Sequence, residues 1–429
     1  MLYVNLIAAR LINAGGGLLC LIIVAATYES VEIGRIYTVL SLAGAATLFE
    51  LGLSALVLQR YSQLTRDRNW DSDSPLNNND LIVPIFGHYL TLVAVQVCLL
   101  LIVLLPIGLW VILGVFKEPI GGGLGAWIFA CLVMTLGLPT ALLLNTLEGL
   151  GEIDAVAKVR VVQSLASLIG LSLSLLGGIG YPSVAIQLAC ALIAGWVAIW
   201  VVHARFVRIL FREVQMNLLP GRIALDWPLQ WRLILSFLSG YFSNQAWVVA
   251  ITLTGAVVLA GHVAMTLQVL TAVVGFALTP IAAKFATLSA LSHQGGYKSY
   301  TLLAARQRNH TAVIFLIVLG GVVASYFLSR AHLPQIQGKL LAPGPLSIIA
   351  TSAPLVLFLA ATTIFNQSLG RDDLYVVSIF KIVAPIAVTI FFGHHLGEWL
   401  FSFFYMAIAL ISLSVGFVTH RKSLSKTFL

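Results

Sequence analysis

The sequence predicts an all-α polytopic membrane protein of about twelve transmembrane helices in two six-helix bundles, with both termini cytoplasmic. Three observations carry that prediction. Of the 429 residues, 59% are hydrophobic and only 9% charged, against roughly 45–50% and about 25% in soluble globular chains; the mean hydropathy is +0.99. Apolar stretches of about twenty residues, the length that crosses a bilayer, recur along the whole chain. Basic residues gather in alternate connecting segments. This composition excludes a soluble enzyme, a nucleic-acid-binding module, a secreted disulfide scaffold and a disordered chain. The net charge of +8 then reports topology rather than nucleic acid as a partner.

The expected spans lie near 4–27, 36–58, 83–114, 122–146, 157–178, 183–203, 233–257, 262–288, 311–329, 346–366, 374–392 and 397–418. No strand-like alternation suggests a β-barrel. With the N-terminus inside, 17 of the 24 basic residues fall in inner segments. Outer segments carry only Arg35, Lys117, Arg330 and Lys339, so the inside-N, inside-C orientation is expected. Arg10, the apolar run Leu18–Val24 and Ala25-Ala26 also fit a signal peptide. Its removal would leave eleven spans, so the segment is read as the first span. The four cysteines, Cys20, Cys98, Cys131 and Cys190, are widely spaced inside apolar runs and read as small hydrophobes. No metal-ligand cluster is expected.

The longest inner segment divides the chain into an N-terminal half (1–203), a cytoplasmic amphipathic basic linker (204–232) and a C-terminal half (233–429). The linker interleaves basic and apolar residues and is broken by Pro220-Gly221. That pattern suits a segment lying on an anionic leaflet; a short solvated extension of the sixth span is the plainer alternative. The halves look related. Asn145, Gly149, Glu152 and Arg160 recur 221 residues later as Asn366, Gly370, Asp373 and Lys381. A weaker match joins Arg60–Leu64 to Lys284–Leu288. Parallel repeats of this kind build many transporters, with the site at mid-bilayer.

Ionisable residues in hydrocarbon are functional candidates by default. Arg10, Lys284 and Lys381 fall inside spans, with Arg60 and Arg160 at span ends. Together they suggest a cationic cavity for an anionic head group; each could instead snorkel to the interface. Glu50 is a carboxylate well inside a span and is the candidate coupling group for H⁺ or Na⁺, or else part of a structural ion pair. Pro139, Pro280, Pro354 and Pro385 interrupt spans and mark candidate hinges. Asn145, Asn244, Gln245, Gln268 and Asn366 are candidate sugar contacts, or interhelical hydrogen-bond glue. His88 and His262 read as structural, and Trp127, Trp196, Trp200, Trp247 and Trp399 as interfacial belts. The chain has no GxxxxGK[ST] loop, no HExxH and no outer loop of even twenty residues. Neither ATP hydrolysis nor another enzymatic activity is expected, and no cofactor.

The run Phe49-Glu-Leu-Gly-Leu-Ser-Ala-Leu-Val-Leu-Gln-Arg60, the stretch Leu147–Ile153 and the run Gly275–Pro280 before the polar loop His293–Asn309 resemble the polysaccharide-flippase (Wzx-type, O-antigen) branch of the multidrug/oligosaccharidyl-lipid/polysaccharide (MOP) exporter superfamily. The resemblance covers nearly the whole chain and rests on layout more than on sharp signatures. It implies a MATE-like fold and a multi-pass protein of the bacterial inner membrane. It also implies translocation of undecaprenyl-diphosphate-linked oligosaccharide repeat units from inner to outer leaflet by alternating access. The cations above would hold the diphosphate; a polysaccharide polymerase or chain-length machinery and membrane lipids would be the partners. Relatives often carry an acid toward the outer end of span seven, where this chain reads Ala250-Ile-Thr-Leu-Thr254. Two alternatives stay open: a cation-coupled small-molecule exporter of the same fold, and an integral-membrane polysaccharide polymerase.

Overall fold

The computed structural model describes residues 2–66, 79–118, 122–284, 288, 291, 297–332, 338–368 and 375–427. Among these residues the chain is helical, and ten helices are long and apolar enough to cross a membrane. The α-helices in chain order are α1 (Leu2–Thr27), α2 (Ser30–Gly44), the short α3 (Ala46–Phe49), α4 (Leu53–Arg66), α5 (Asn79–Trp110), α6 (Gly122–Gly149) and α7 (Ile153–Leu176). Then follow α8 (Ser183–Glu213), α9 (Pro220–Leu253), α10 (Val257–Ala283), α11 (Tyr297–His332), α12 (Pro343–Ser368), α13 (Tyr375–Phe392) and α14 (Glu398–Thr427). The first and ninth expected spans are occupied by α1 and α11.

The second expected span is not one helix. The chain leaves helical geometry just after Glu50, where Leu51 (φ 48°) and Gly52 (φ 69°) are both left-handed. Glycine carries this conformation without a Cβ clash. It also permits close packing: a Cβ on Gly52 would lie 2.6 Å from that of Leu233 in α9. The run 36–58 is apolar enough to look continuous, and its hydropathy conceals the break. At the linker, α8 and α9 are joined by a non-helical stretch, and Pro220 is the first residue of α9. There its fixed φ suits the helix and its missing N–H would be unpaired anyway.

Contacts group the chain into two compact units, Met1–Ala9 with Leu42–Phe237 and Arg10–Ser41 with Leu238–Leu429. The boundaries read from the sequence differ chiefly in Arg10–Ser41, whose neighbours are C-terminal helices. The reason is small-residue packing. Gly34 meets the Val257 carbonyl, Gly261 meets Gly34, and the buried hydroxyls of Thr38 and Thr252 are hydrogen-bonded at 2.7 Å. Lipid is as apolar as leucine, so close approach and interhelical hydrogen bonds hold such helices together.

In the first unit, Tyr61, Phe86, Tyr89 and Trp127 are fully buried. Gly149 at the end of α6 takes the Tyr61 Cβ and the Leu58 carbonyl of α4 against it, so the repeat-motif glycine is a packing residue here. In the second unit, the Trp247 and Phe401 rings meet edge-on at 5.3 Å. Trp127 and Trp247 are each 1% exposed. They are core residues, not members of interfacial belts, because each helix packs its indole inward. Trp200 and Trp399 are exposed.

Candidate functional site

A cavity of about 200 Å³ lies within the second unit. Five helices line it: α9 supplies Asn244 and Trp247, α10 Thr271, α12 Val356 and α14 Tyr405 and Ser412. Lys381 enters from α13, six residues from its start, or about 9 Å along the axis. Most of the wall is apolar; the polar groups are hydroxyls and one amide. Tyr405 donates to Asn244 Oδ1 at 3.4 Å. Lys381 makes no hydrogen bond or ion pair among the described residues. A half-buried ammonium with apolar neighbours and no counter-charge is costly in low dielectric. It is a position where an anion would be strongly attracted.

The other expected cations are placed differently. Arg60 donates through Nε to Asp226 Oδ1 at 2.7 Å and through Nη2 to the Leu225 carbonyl at 3.3 Å. Asp226 is 2% exposed and also accepts from the Tyr89 hydroxyl at 2.9 Å, with Arg222 at 3.9 Å. Arg160 pairs with Glu148 at 2.7 Å and donates to Asn145 Oδ1 at 3.1 Å. Glu148, not the repeat acid Glu152, is thus the partner on α6. Lys284 caps the C-terminal end of α10 through its N–H to Ile281. Arg10 lies on α1 with its side chain outside what the structure describes; Gly370 and Asp373 of the repeat motif lie outside the described residues.

Glu50 sits at the helix break. Its carboxylate accepts from Ser54 at 2.7 Å, and its carbonyl accepts from the Gln96 amide at 3.0 Å. Among the proposed sugar contacts, Asn244 shares the cavity with Lys381. Gln245 is exposed and Asn366 buried. Gln268 packs across Gly17 of α1, where a Cβ would lie 2.6 Å from Nε2, as interhelical glue does. The structure therefore brings Lys381 and Asn244 together and keeps Arg60 and Arg160 in ion pairs. Sequence reasoning missed Asp226, Glu148 and Tyr405. Asp226 had a usable signal, as the one acid between Pro220 and Arg232; Tyr405, in an aromatic-rich apolar run, had none. No group of three or more His, Cys, Asp or Glu suited to a metal occurs among the described residues.

No protein-family model matches the chain, and no curated protein matches it. Solved structures do. A MOP superfamily transporter from Pyrococcus furiosus Vc1 aligns with TM-score 0.59 at 16% identity, covering 99% of this chain and 95% of that one. A MATE transporter in complex with MaL6 aligns with TM-score 0.59 at 15% identity over the same shares. The outward-facing form of a multidrug resistance MATE family transporter gives 0.59 and 15%, again over 99% and 95%. The chain has the fold of MOP superfamily transporters along essentially its whole length.

Proposed function

We propose that this protein is a flippase for an anionic, lipid-linked oligosaccharide of the undecaprenyl-diphosphate type, acting by alternating access in the bacterial inner membrane. The observation that carries the reading is Lys381: an unpartnered ammonium in a cavity whose other polar groups are hydroxyls and an amide. That set suits a phosphate or acidic sugar with hydroxyls around it. A cationic drug would meet repulsion there instead. The solved Pyrococcus furiosus relative is described as having a binding pocket of reversed polarity that suggests a different function; the Lys381 cavity fits the same theme. A diphosphate-sugar head cannot cross hydrocarbon unaided, whereas its polyprenyl tail is at home there. The protein needs only to shield the head and to weaken its hold on the phosphates in the outward state.

A second reading, a cation-coupled small-molecule exporter, is favoured by the helix interruption at Glu50, since broken helices in transporters often hold coupling ions. Deleting the gene in its host and locating lipid-linked oligosaccharide by leaflet separates the readings. Intact repeat units retained on the cytoplasmic face support the flippase. Single units reaching the outer face unpolymerised favour a polymerase. Unchanged pools move the weight to the exporter and to Glu50.

A further inference from the structure

The helix α8 contains one residue outside helical geometry, His203 (φ −131°, ψ 30°). The 21 residues from Ser183 to His203 measure about 31 Å at 1.5 Å per residue, close to the roughly 30 Å hydrocarbon thickness. Beyond His203 the helix turns sharply. The Phe211 ring lies 6.3 Å from that of Trp196, although fifteen residues of straight helix would separate them by about 22 Å. The tail Ala204–Glu213 thus leaves the axis of its own span at the depth where the hydrocarbon ends.

That tail has two faces. Phe206, Val207 and Leu210 are buried. Arg205, Arg208 and Arg212 are exposed and share the opposite face at i, i+3 and i+7. None of the three guanidiniums has a partner among the described residues. Phe211 (49% exposed) beside them, and Met216 and Leu218 just beyond, also lie open. The strip is fixed to its unit. The Leu219 N–H donates to His88 Nδ1 at 3.2 Å, and Gly87 leaves room for the Gln215 carbonyl, which any Cβ would strike. Asp226, the nearby buried acid, is already held by Arg60 and Tyr89.

We infer that this face is a binding site for an anionic phospholipid of the leaflet it borders. The three arginines would take the head-group phosphate by charge-assisted hydrogen bonds, and Phe211, Met216 and Leu218 would sit at the level of the upper acyl chains. The inference needs the chain to span a membrane and is independent of what it transports.

The test is native mass spectrometry of the purified full-length protein with equimolar phosphatidylglycerol and phosphatidylethanolamine. The wild type is expected to retain phosphatidylglycerol selectively. Replacing Arg205, Arg208 and Arg212 together by Gln is expected to weaken that retention on the order of a hundredfold. A control with Arg306→Gln and Arg308→Gln, both exposed on α11, is expected to keep it. Equal retention by the triple variant, or equal loss in the control, overturns the site. Thermal stabilisation of the wild type by inorganic phosphate as large as that by phosphatidylglycerol overturns its assignment to lipid. Should the triple variant not reach the membrane, a photo-crosslinking phosphatidylglycerol on the wild type must label the peptide 204–219; labelling confined elsewhere overturns the proposal.

Discussion

Asp226 receives the Arg60 guanidinium at 2.7 Å, tying the start of α9 to α4 across 166 positions of sequence. Tyr89 from α5 completes the cluster through the other carboxylate oxygen. Removing one member of such a pair leaves a buried charge without compensation. Arg60 is 19% exposed and Asp226 3% by side chain, so the cost to stability is placed at roughly 2–4 kcal/mol, below that of a fully buried pair. Asp226→Ala is expected to lower the thermal midpoint in detergent well below that of Arg60→Ala, because the latter leaves Arg222 and Tyr89 to the carboxylate. Equal midpoints for Asp226→Ala and the wild type would contradict this account.

The fold was legible because hydropathy reads span by span: each apolar run of twenty residues has only one cheap place to go. Local backbone geometry was not. Glu50-Leu51-Gly52 sits in a run apolar enough to pass for continuous helix, and the close approach of Leu233 to Gly52 is a tertiary contact that the run does not announce. Charged residues were legible as a class and ambiguous one by one. Lys381 and Arg160 occupy matched repeat positions, yet Arg160 finds Glu148 while Lys381 faces a cavity. Position 369, the counterpart of Glu148, is a leucine, so the repeat preserves the cation and drops its partner. Which acid serves which base is a tertiary fact that spacing alone does not hold.

The break at Glu50 makes Gly52 a sensitive position. Gly52→Ala would force a left-handed alanine, at about 1–2 kcal/mol, and drive a methyl into Leu233 Cβ at 2.6 Å. A combined loss of at least roughly 2 kcal/mol is expected. Gly240, where a Cβ meets nothing within 4 Å, serves as the comparison. Gly240→Ala is expected to leave the thermal midpoint within about a degree, or to raise it slightly by restricting the unfolded chain. The reverse ranking of the two would mean that the break at Gly52 is not required.

Glu398 opens α14 and clasps two other elements. One oxygen meets His262 Nδ1 at 3.1 Å, and the other accepts the Ala342 N–H ahead of α12 at 2.8 Å. Glu398→Gln retains an acceptor for that N–H, whereas Glu398→Ala retains none. The alanine variant is expected to lose about 1–2 kcal/mol and the glutamine variant less. Hydrogen exchange at Ala342 reads the difference directly: exchange should accelerate in the alanine variant and change little in the glutamine variant.

Lys381 sets stability against function. Its ammonium is half-buried without a counter-charge, so Lys381→Met, which keeps the stem and discards the charge, should leave the thermal midpoint unchanged or raise it. On the proposed flippase reading, the same substitution should abolish accumulation of surface polysaccharide, with normal insertion in the membrane. Lys381→Arg, which restores a cation of different shape, should recover part of the function. A residue that merely packs would show the opposite pattern, with methionine tolerated in function and arginine disruptive. Leaflet-resolved measurement of lipid-linked oligosaccharide in cells carrying each variant, beside thermal unfolding of the purified proteins, separates these outcomes. A charge that stays unsatisfied in the folded protein costs stability, and loss of transport without loss of fold would show that the ligand is what offsets that cost.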